Sequence, residues 1–221
     1  MKYKYELHSH TTESSRCAKI NAEELIKKYK EKGYSGIVIT NHYSPMTFHL
    51  NEFFNKKKAV EHYLKGYREA KKYEDEGFSV LLGMEIRFYA TVNDYLVYGV
   101  TEEFLENSPF LLSFYLKRAY KLFKKNGFVT VQAHPFRPYI RRANEKYLDG
   151  VEIKNGKSPE EENKKALVWA DKANLKIRTA GSDCHRESGA GITGIITYEP
   201  IKTNEDLLRI LRSGNFEIVE E

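Results

Sequence analysis

Five of the seven histidines stand in short polar runs: Leu7-His8-Ser9-His10, Asn41-His42, Gln132-Ala133-His134 and Gly181-Ser182-Asp183-Cys184-His185. Glu85, in Gly83-Met84-Glu85, is a carboxylate in a similar setting. Imidazole nitrogen and carboxylate oxygen together suit Zn, Mn or Fe. In extended chain, residues two apart project from the same face, so His8 and His10 can aim at one ion, and so can Asp183 and His185. Glu85 can bridge two ions, and two close ions can clamp a phosphoryl group and ionise a water to attack it. Each motif has a plain alternative: a chance H-x-H, a helix cap at Glu85, a turn at His134-Pro135. Their recurrence is what argues for a metal centre. His49 and His62 fall outside the pattern and read as loop and helix-surface residues.

The elements that must position these residues alternate between strand and helix. Tyr3–Leu7 reads as a strand, and Asn21 with Glu24 gives a capping-box pattern ahead of a helix with Ala22, Leu25, Ile26 and Tyr29 on one face. Gly33 ends that helix, and Gly36–Thr40 is an apolar strand of the parallel-sheet kind. A second helix carries Val60, Tyr63, Leu64, Tyr67 and Ala70 on one side and runs to about Gly77. Phe78–Leu82, Tyr95–Val100, Phe128–Val131, Gly150–Ile153 and Leu175–Thr179 read as strands. Leu111–Lys125 is helical, Ser158-Pro159 caps and opens another helix, and Thr203 caps the last, which ends by Gly214. Such alternation predicts a parallel α/β barrel or open sheet in one domain, residues 1–221, with chemistry at the carboxyl ends of the strands.

In this order the motifs resemble the polymerase-and-histidinol-phosphatase (PHP) family of metal-dependent phosphoesterases. The matching segments are Leu7-His8-Ser9-His10-Thr11, Thr40-Asn41-His42, Gly83-Met84-Glu85, His134-Pro135, Glu152-Ile153-Lys154-Asn155 and Gly181-Ser182-Asp183-Cys184-His185. The resemblance implies a distorted (β/α)7 barrel with two or three divalent ions (Zn, Mn or Fe) at its C-terminal mouth. It implies that His8, His10, Glu85 and Asp183 hold the first ion and that Glu85 bridges to a second, also held by His134. A further family histidine on the second ion corresponds here to Asp94, within Asn93-Asp94-Tyr95-Leu96. The third ion would take His42 and His185.

Two departures stand out. Where the family supplies a third histidine to the third ion, the spacing falls on Arg16, which stays protonated and cannot ligate. The acid that commonly precedes His42 is Asn41, which keeps only the capacity to orient His42 as a neutral acceptor. The expectation is a dinuclear core with a weak or empty third site, and Arg16 holding a substrate phosphate instead. Glu85, His134, Asp183, Arg16 and Arg137 are the candidate catalytic residues. Arg137 lies three residues past a ligand, whereas Arg141 and Arg142 read as solvated surface. Cys184 reads as a small core residue, Cys17 as a neighbour of the site without a catalytic role, and Tyr43–Asn55 as a mobile lip over the mouth.

Composition sets the outer bounds. The chain has 221 residues, 36 Lys+Arg against 31 Asp+Glu, and a formal charge of +5, which permits an anionic partner without requiring one. No stretch reaches the roughly 18 apolar residues of a membrane span, and the start lacks the apolar run of a secretory signal. Two cysteines make no disulfide framework, so the cytoplasm is the expected location. The expected substrate is a small phosphorylated molecule or nucleotide. A nuclease or oligonucleotide phosphatase is the alternative enzyme, and a metal-binding module whose chemistry has decayed is the alternative outside catalysis. Oligomeric state is left open by the sequence.

Overall fold

Strand β1 (Tyr3–Ser9) goes from half-exposed to fully buried within two residues, and it is an interior strand of the sheet. In this computed structural model, which describes residues 1–49, 52, 54–89 and 91–219, β1 pairs in parallel with β2 (Gly36–Ile39), and β2 in parallel with β4 (Ser79–Ile86). The short β3 (His42–Tyr43) also runs parallel to β4 and places His42 opposite Glu85. The remaining strands are β5 (Tyr95–Tyr98), β6 (Val129–Gln132), β7 (Gly150–Asn155), β8 (Ile177–Gly181), β9 (Ile195–Thr197) and β10 (Phe216–Ile218). Their order is β10-β9-β1-β2-β4-β5-β6-β7-β8. The sheet curls until β8 meets β1 again: His10 N donates to Cys184 O at 2.9 Å and Cys184 N to His8 O at 3.1 Å. The result is a nearly closed, distorted α/β barrel.

The parallel expectation needs one correction. β5 is antiparallel to both β4 and β6. The connection from Ile86 to Tyr95 is too short for a helical crossover, so the chain turns back as a hairpin. β9 likewise pairs antiparallel with β1 and β10, two short strands that lack an apolar alternation to betray them.

The helices are α1 (Ala22–Glu31), α2 (Lys56–Lys71), α3 (Glu102–Asn107), α4 (Leu116–Lys125), α5 (Glu160–Lys172) and α6 (Asn204–Ser213). Asn21 Oδ1 accepts from Glu24 N at 2.8 Å, the Asn half of the expected box. α1 buries Ala22, Leu25, Ile26 and Tyr29 as its spacing predicts. Helix α2 stops at Lys71, short of Gly77. Pro159, not Ser158, is the cap of α5, with no side-chain hydrogen bond there. Thr203 and Asp206 form a full capping box on α6, which ends at the left-handed Gly214. Leu207, Ile210 and Leu211 of α6 belong to the same buried hydrophobic cluster as Tyr5, Leu7, Val38, Leu96 and Val131 of the sheet. Burying each stabilises by roughly 1.5–3 kcal/mol, against about 1 kcal/mol for the cap, so packing holds α6 and the cap sets its start.

Gly66 lets α2 approach the site. A Cβ there would lie 2.2 Å from Thr11 Oγ1 and 2.3 Å from Asn41 Nδ2, so any side chain would push the loop after β1 away. Among the described residues, no helix is long and apolar enough to cross a membrane.

Candidate metal centre at the strand ends

Glu85, near the end of β4, is the centre of the cluster. Its Oε2 lies 2.6 Å from His42 Nδ1 and 3.4 Å from His10 Nε2, and its Oε1 lies 3.1 Å from His134 Nε2 and 3.3 Å from His8 Nε2. Asp183 Oδ1 lies 3.6 Å from His8 Nε2, 3.4 Å from His10 Nε2 and 3.1 Å from His185 Nδ1. Four overlapping groups have ligand atoms within 4.8 Å of one another: His8-His10-Glu85, His8-His134-Asp183, Glu85-Asp94-His134 and His10-His42-His185. Every metal-ligating candidate read from the sequence is therefore in one cluster.

The backbone is bent to present them. β1 breaks register between Glu6 and Ser9, and β7 between Glu152 and Lys154, irregularities of the kind that re-aim side chains beside sites. His134 and Asp183 both have positive φ, 28° and 52°, which costs a non-glycine residue energy that the surrounding contacts must offset. Gly181 permits the approach of β8 to β1, since a Cβ on it would sit 2.4 Å from His8 Cβ.

A second layer of carboxylates and amides orients the imidazoles. Glu152 Oε1 contacts His8 Nδ1 at 2.8 Å, its Oε2 accepts from His134 N at 2.9 Å, and Asn155 Nδ2 donates to that same oxygen at 2.9 Å. His8 Nε2 is thereby turned to the centre. Glu6 accepts from His8 N and Ser182 N, both at 2.8 Å, and from Tyr29 OH at 2.5 Å, so it ties β1, β8 and α1 together. The matching motif around Glu152 was visible in the sequence, but its partner was not. Glu6 carried no signal at all.

Several expectations change in detail. Asn41 does not touch the His42 ring; its Oδ1 accepts from Thr11 N at 2.8 Å and Ser15 Oγ at 2.9 Å, so it braces the loop after β1. Asp94 lies beside Glu85 and His134, but both its oxygens are also gripped by Arg87, at 2.7 and 2.5 Å. Arg137 does reach the centre, donating to Asp183 Oδ2 at 2.7 Å and Asn155 Oδ1 at 3.1 Å. Arg141 and Arg142 are exposed, as expected of surface charges.

Arg16 is exposed and pairs with His49 Nδ1 at 2.6 Å rather than with the cluster. Its neighbour Cys17 is also exposed, and the His185 and His42 imidazoles pull its thiol down to about 6 against its partial burial. Lys157, assigned nothing from sequence, lies 3.8 Å from Asp183 Oδ1 and 3.4 Å from His185 Nδ1. Of the expected lip, Leu50, Asn51 and Phe53 lie outside the described residues, whereas Tyr43 and Phe48 are packed into the core with Tyr63. Cys184 is fully buried among Ile20, Ile39 and Ala190, a core residue as read.

The electrostatics ask for positive charge. Burial works to raise Glu85, but His42 and His8 overcome it and hold the carboxylate well below its ordinary range. Asp183 is depressed in the same way, against its burial, by His8, His10 and His185. In return, and also against burial, Glu152, Asp183 and Glu85 raise His8, and Glu85 raises His42 to about 10. His10, by contrast, is pushed down by burial and by His42 and His185. The carboxylates thus favour positive charge at the centre of the cluster, the charge that divalent cations would bring. His8 Nε2, His10 Nε2 and Glu85 Oε2 are buried and make no hydrogen bond of good geometry, which is costly for polar atoms unless an ion is their partner. The donor set of imidazoles and carboxylates fits Zn, Mn or Fe.

A barrel whose mouth gathers these side chains from β1, β3, β4, β6 and β8 defines a class, the metal-dependent hydrolases. The chain matches the PHP domain over residues 6–176 and the PHP-associated segment over residues 160–216, and it belongs to the PHP domain family. Asp183 and His185 lie only in the second match and His8 only in the first, so neither segment alone carries the whole cluster. Among curated protein sequences none matches. Among solved structures, PsfC from Pseudomonas syringae superimposes with a TM-score of 0.72 at 15% identity, over 100% of this chain and 92% of that one. The lesion-specific endonuclease PfuEndoQ from Pyrococcus furiosus gives a TM-score of 0.68 at 16% identity, over 99% of this chain and 58% of that one. A Bifidobacterium adolescentis protein put forward as a metal-dependent phosphoesterase gives 0.58 at 16% identity, over 95% and 96% of the two chains. At these identities the likeness is one of fold.

Proposed function

We propose that this chain hydrolyses the phosphate ester of a small phosphorylated metabolite or nucleotide. His8, His10, Glu85 and Asp183 would hold one divalent ion, and Glu85, His134 and Asp94 a second. The observation that carries this reading is one buried carboxylate, Glu85, within 3.4 Å of four imidazoles. Ions held there would supply Lewis acidity and a water of lowered pKa near neutral pH.

The chain's own groups do the rest. Arg137 and Lys157 flank Asp183 on the side where their charges can turn to an anionic ester once Asp183 is engaged by an ion. The guanidinium can fork onto two phosphoryl oxygens, and the ammonium adds a point charge. Glu152 and Asn155 keep His8 and His134 in place while charge moves. Arg16, exposed on the rim, would help draw the ester in. Because the proposed ligands span His8 to His185, residues 1–221 are proposed as one functional unit.

The test is turnover of an aryl phosphate and a panel of phosphorylated metabolites by protein reconstituted with Mn or Zn. Activity that disappears in Asp183→Asn supports the reading. Turnover confined to oligonucleotides would favour a nuclease, and none with any metal would leave a binding module.

A further inference from the structure

Arg87 and Asp94 face each other across the hairpin of β4 and β5. The register pairs Ile86 with Tyr95, so the next rung outward sets Arg87 opposite Asp94. Arg87 N donates to Tyr43 O at 3.2 Å, which carries the extended pairing of β4 one residue past its end. Two residues apart in extended chain, Glu85 and Arg87 share a face, Glu85 in the cluster and Arg87 a rung nearer the mouth. The Arg87 fork closes on Asp94: Nε donates to Oδ1 at 2.7 Å and Nη2 to Oδ2 at 2.5 Å, and that Oδ2 lies 3.8 Å from His134 Nε2. Arg137 repeats the arrangement on the other side of the cluster. It donates to Asp183 Oδ2 at 2.7 Å, while Asp183 Oδ1 faces His8 and His10. In both pairs the carboxylate is closed off, 4% and 2% exposed, whereas the guanidinium is 32% and 30% exposed. Each proposed ion thus shares one carboxylate with an arginine, and the arginine is the partner that solvent reaches.

We propose that Arg87 is a substrate-binding residue, the second arm of a two-arginine clamp with Arg137 that selects a terminal phosphoryl group over a phosphodiester. The inference rests on the metal-centre reading above and names the kind of phosphate ester that site takes. A carboxylate whose charge is shared with a divalent ion holds its arginine less tightly, which leaves both forks free to turn to an anion. A terminal phosphoryl group brings close to two negative charges near neutral pH and three acceptor oxygens, enough for two forks as well as the ions. A diester brings one charge and two free oxygens, so one fork goes unfilled, and its second ester arm crowds the guanidiniums. Lys157, 3.8 Å from Asp183 Oδ1, adds a further positive charge that favours the dianion.

Calorimetric titration of manganese- or zinc-loaded protein with inorganic phosphate and with dimethyl phosphate reads this without turnover. The wild type should bind phosphate at least about tenfold more tightly than dimethyl phosphate. In Arg87→Met phosphate binding should weaken about 10–100-fold, the worth of a hydrogen bond between charged groups, and dimethyl phosphate binding should weaken less. Bound ions per chain should stay at the wild-type value. Arg87→Lys keeps a charge beside Asp94 and so guards against misfolding, but an ammonium has no fork, and it should recover only part of the loss. Wild-type phosphate affinity in Arg87→Met, or full recovery in Arg87→Lys, would overturn the clamp. So would a loss of phosphate binding that only follows a loss of ions in both variants, which would make Arg87 a partner of Asp94 alone. Equal binding of the two anions by the wild type would overturn the selection. A wild type that takes up neither manganese nor zinc would overturn the metal-centre reading, and the clamp with it.

Discussion

Glu152 Oε1 lies 2.8 Å from His8 Nδ1, joining β7 to β1 across the barrel and fixing which nitrogen of His8 faces Glu85. Both residues are fully buried, so the pair cannot relax into water. Glu152→Gln keeps the shape but removes the charge that raises the basicity of His8. Metal affinity should fall about 10–100-fold, a typical loss for a group behind a ligand. Chelator competition on the apo-protein measures it; unchanged affinity would show that His8 needs no such orientation.

Arg137 and Lys157 should matter to the substrate more than to the fold. Replacing either with Ala removes a charge-assisted hydrogen bond to phosphate, about 1.5–3 kcal/mol, or roughly 10–100-fold in kcat/KM. Most of it should fall on KM for Lys157, which is the more exposed of the two. Equal kcat/KM for wild type and Lys157→Ala would remove Lys157 from the site.

Glu6 gives a pH signature. Burial raises it from 4.5 to about 7, although Ser182, Tyr29 and His8 N all favour its charged form. The folded chain therefore holds a proton that the unfolded chain releases above pH 4.5. Its contribution to stability is full below 4.5, declines as pH rises and is gone above about 7, a span of roughly 3 kcal/mol. Glu6→Gln, always neutral, should gain on the wild type as pH climbs from 5 to 8. Metal-free protein followed by urea denaturation tests this; parallel pH profiles would refute it.

Gly181→Ala should destabilise the fold by about 1–3 kcal/mol, because the added Cβ meets the His8 Cβ at 2.4 Å and the His8 backbone nitrogen at 2.8 Å. A backbone atom cannot swing away as a flexible side chain can. The displaced His8 should also lose its register with Glu152, so metal affinity should fall in parallel. A variant as stable as the wild type would place the seam elsewhere.

Much of the centre was legible because ligand spacing follows strand geometry. His8-x-His10 lies at the end of β1, where a two-residue repeat carries meaning, whereas Asp183-x-His185 follows β8 with Asp183 at positive φ, so the turn and not the strand period brings that pair to the cluster. Loops have no such period, which is why counting from His10 lands on Arg16, whose side chain instead turns out to His49. The direction of β5 was illegible for a related reason: an apolar run is the same read either way, and only the short connection from β4 decides. Glu6, Glu152 and Lys157 gain their meaning from partners far along the chain, such as Ser182, His8 and Asp183.

The closure of the barrel between β1 and β8 is made by the Ser9–Cys184 bridge, the backbone bonds that flank it and the Glu6 carboxylate that accepts from Ser182 N. His8 and His10 stand on one side of that junction, and Asp183 and His185 on the other. An ion shared between them, as proposed, would be a clasp as well as a cofactor, fastening the first barrel strand to β8. A cross-link so distant in sequence restricts the unfolded chain far more than any local contact does. Loading the protein with metal should thus protect the amides of His10 and Cys184 from hydrogen exchange, and chelation should unfasten the barrel at this line before any other.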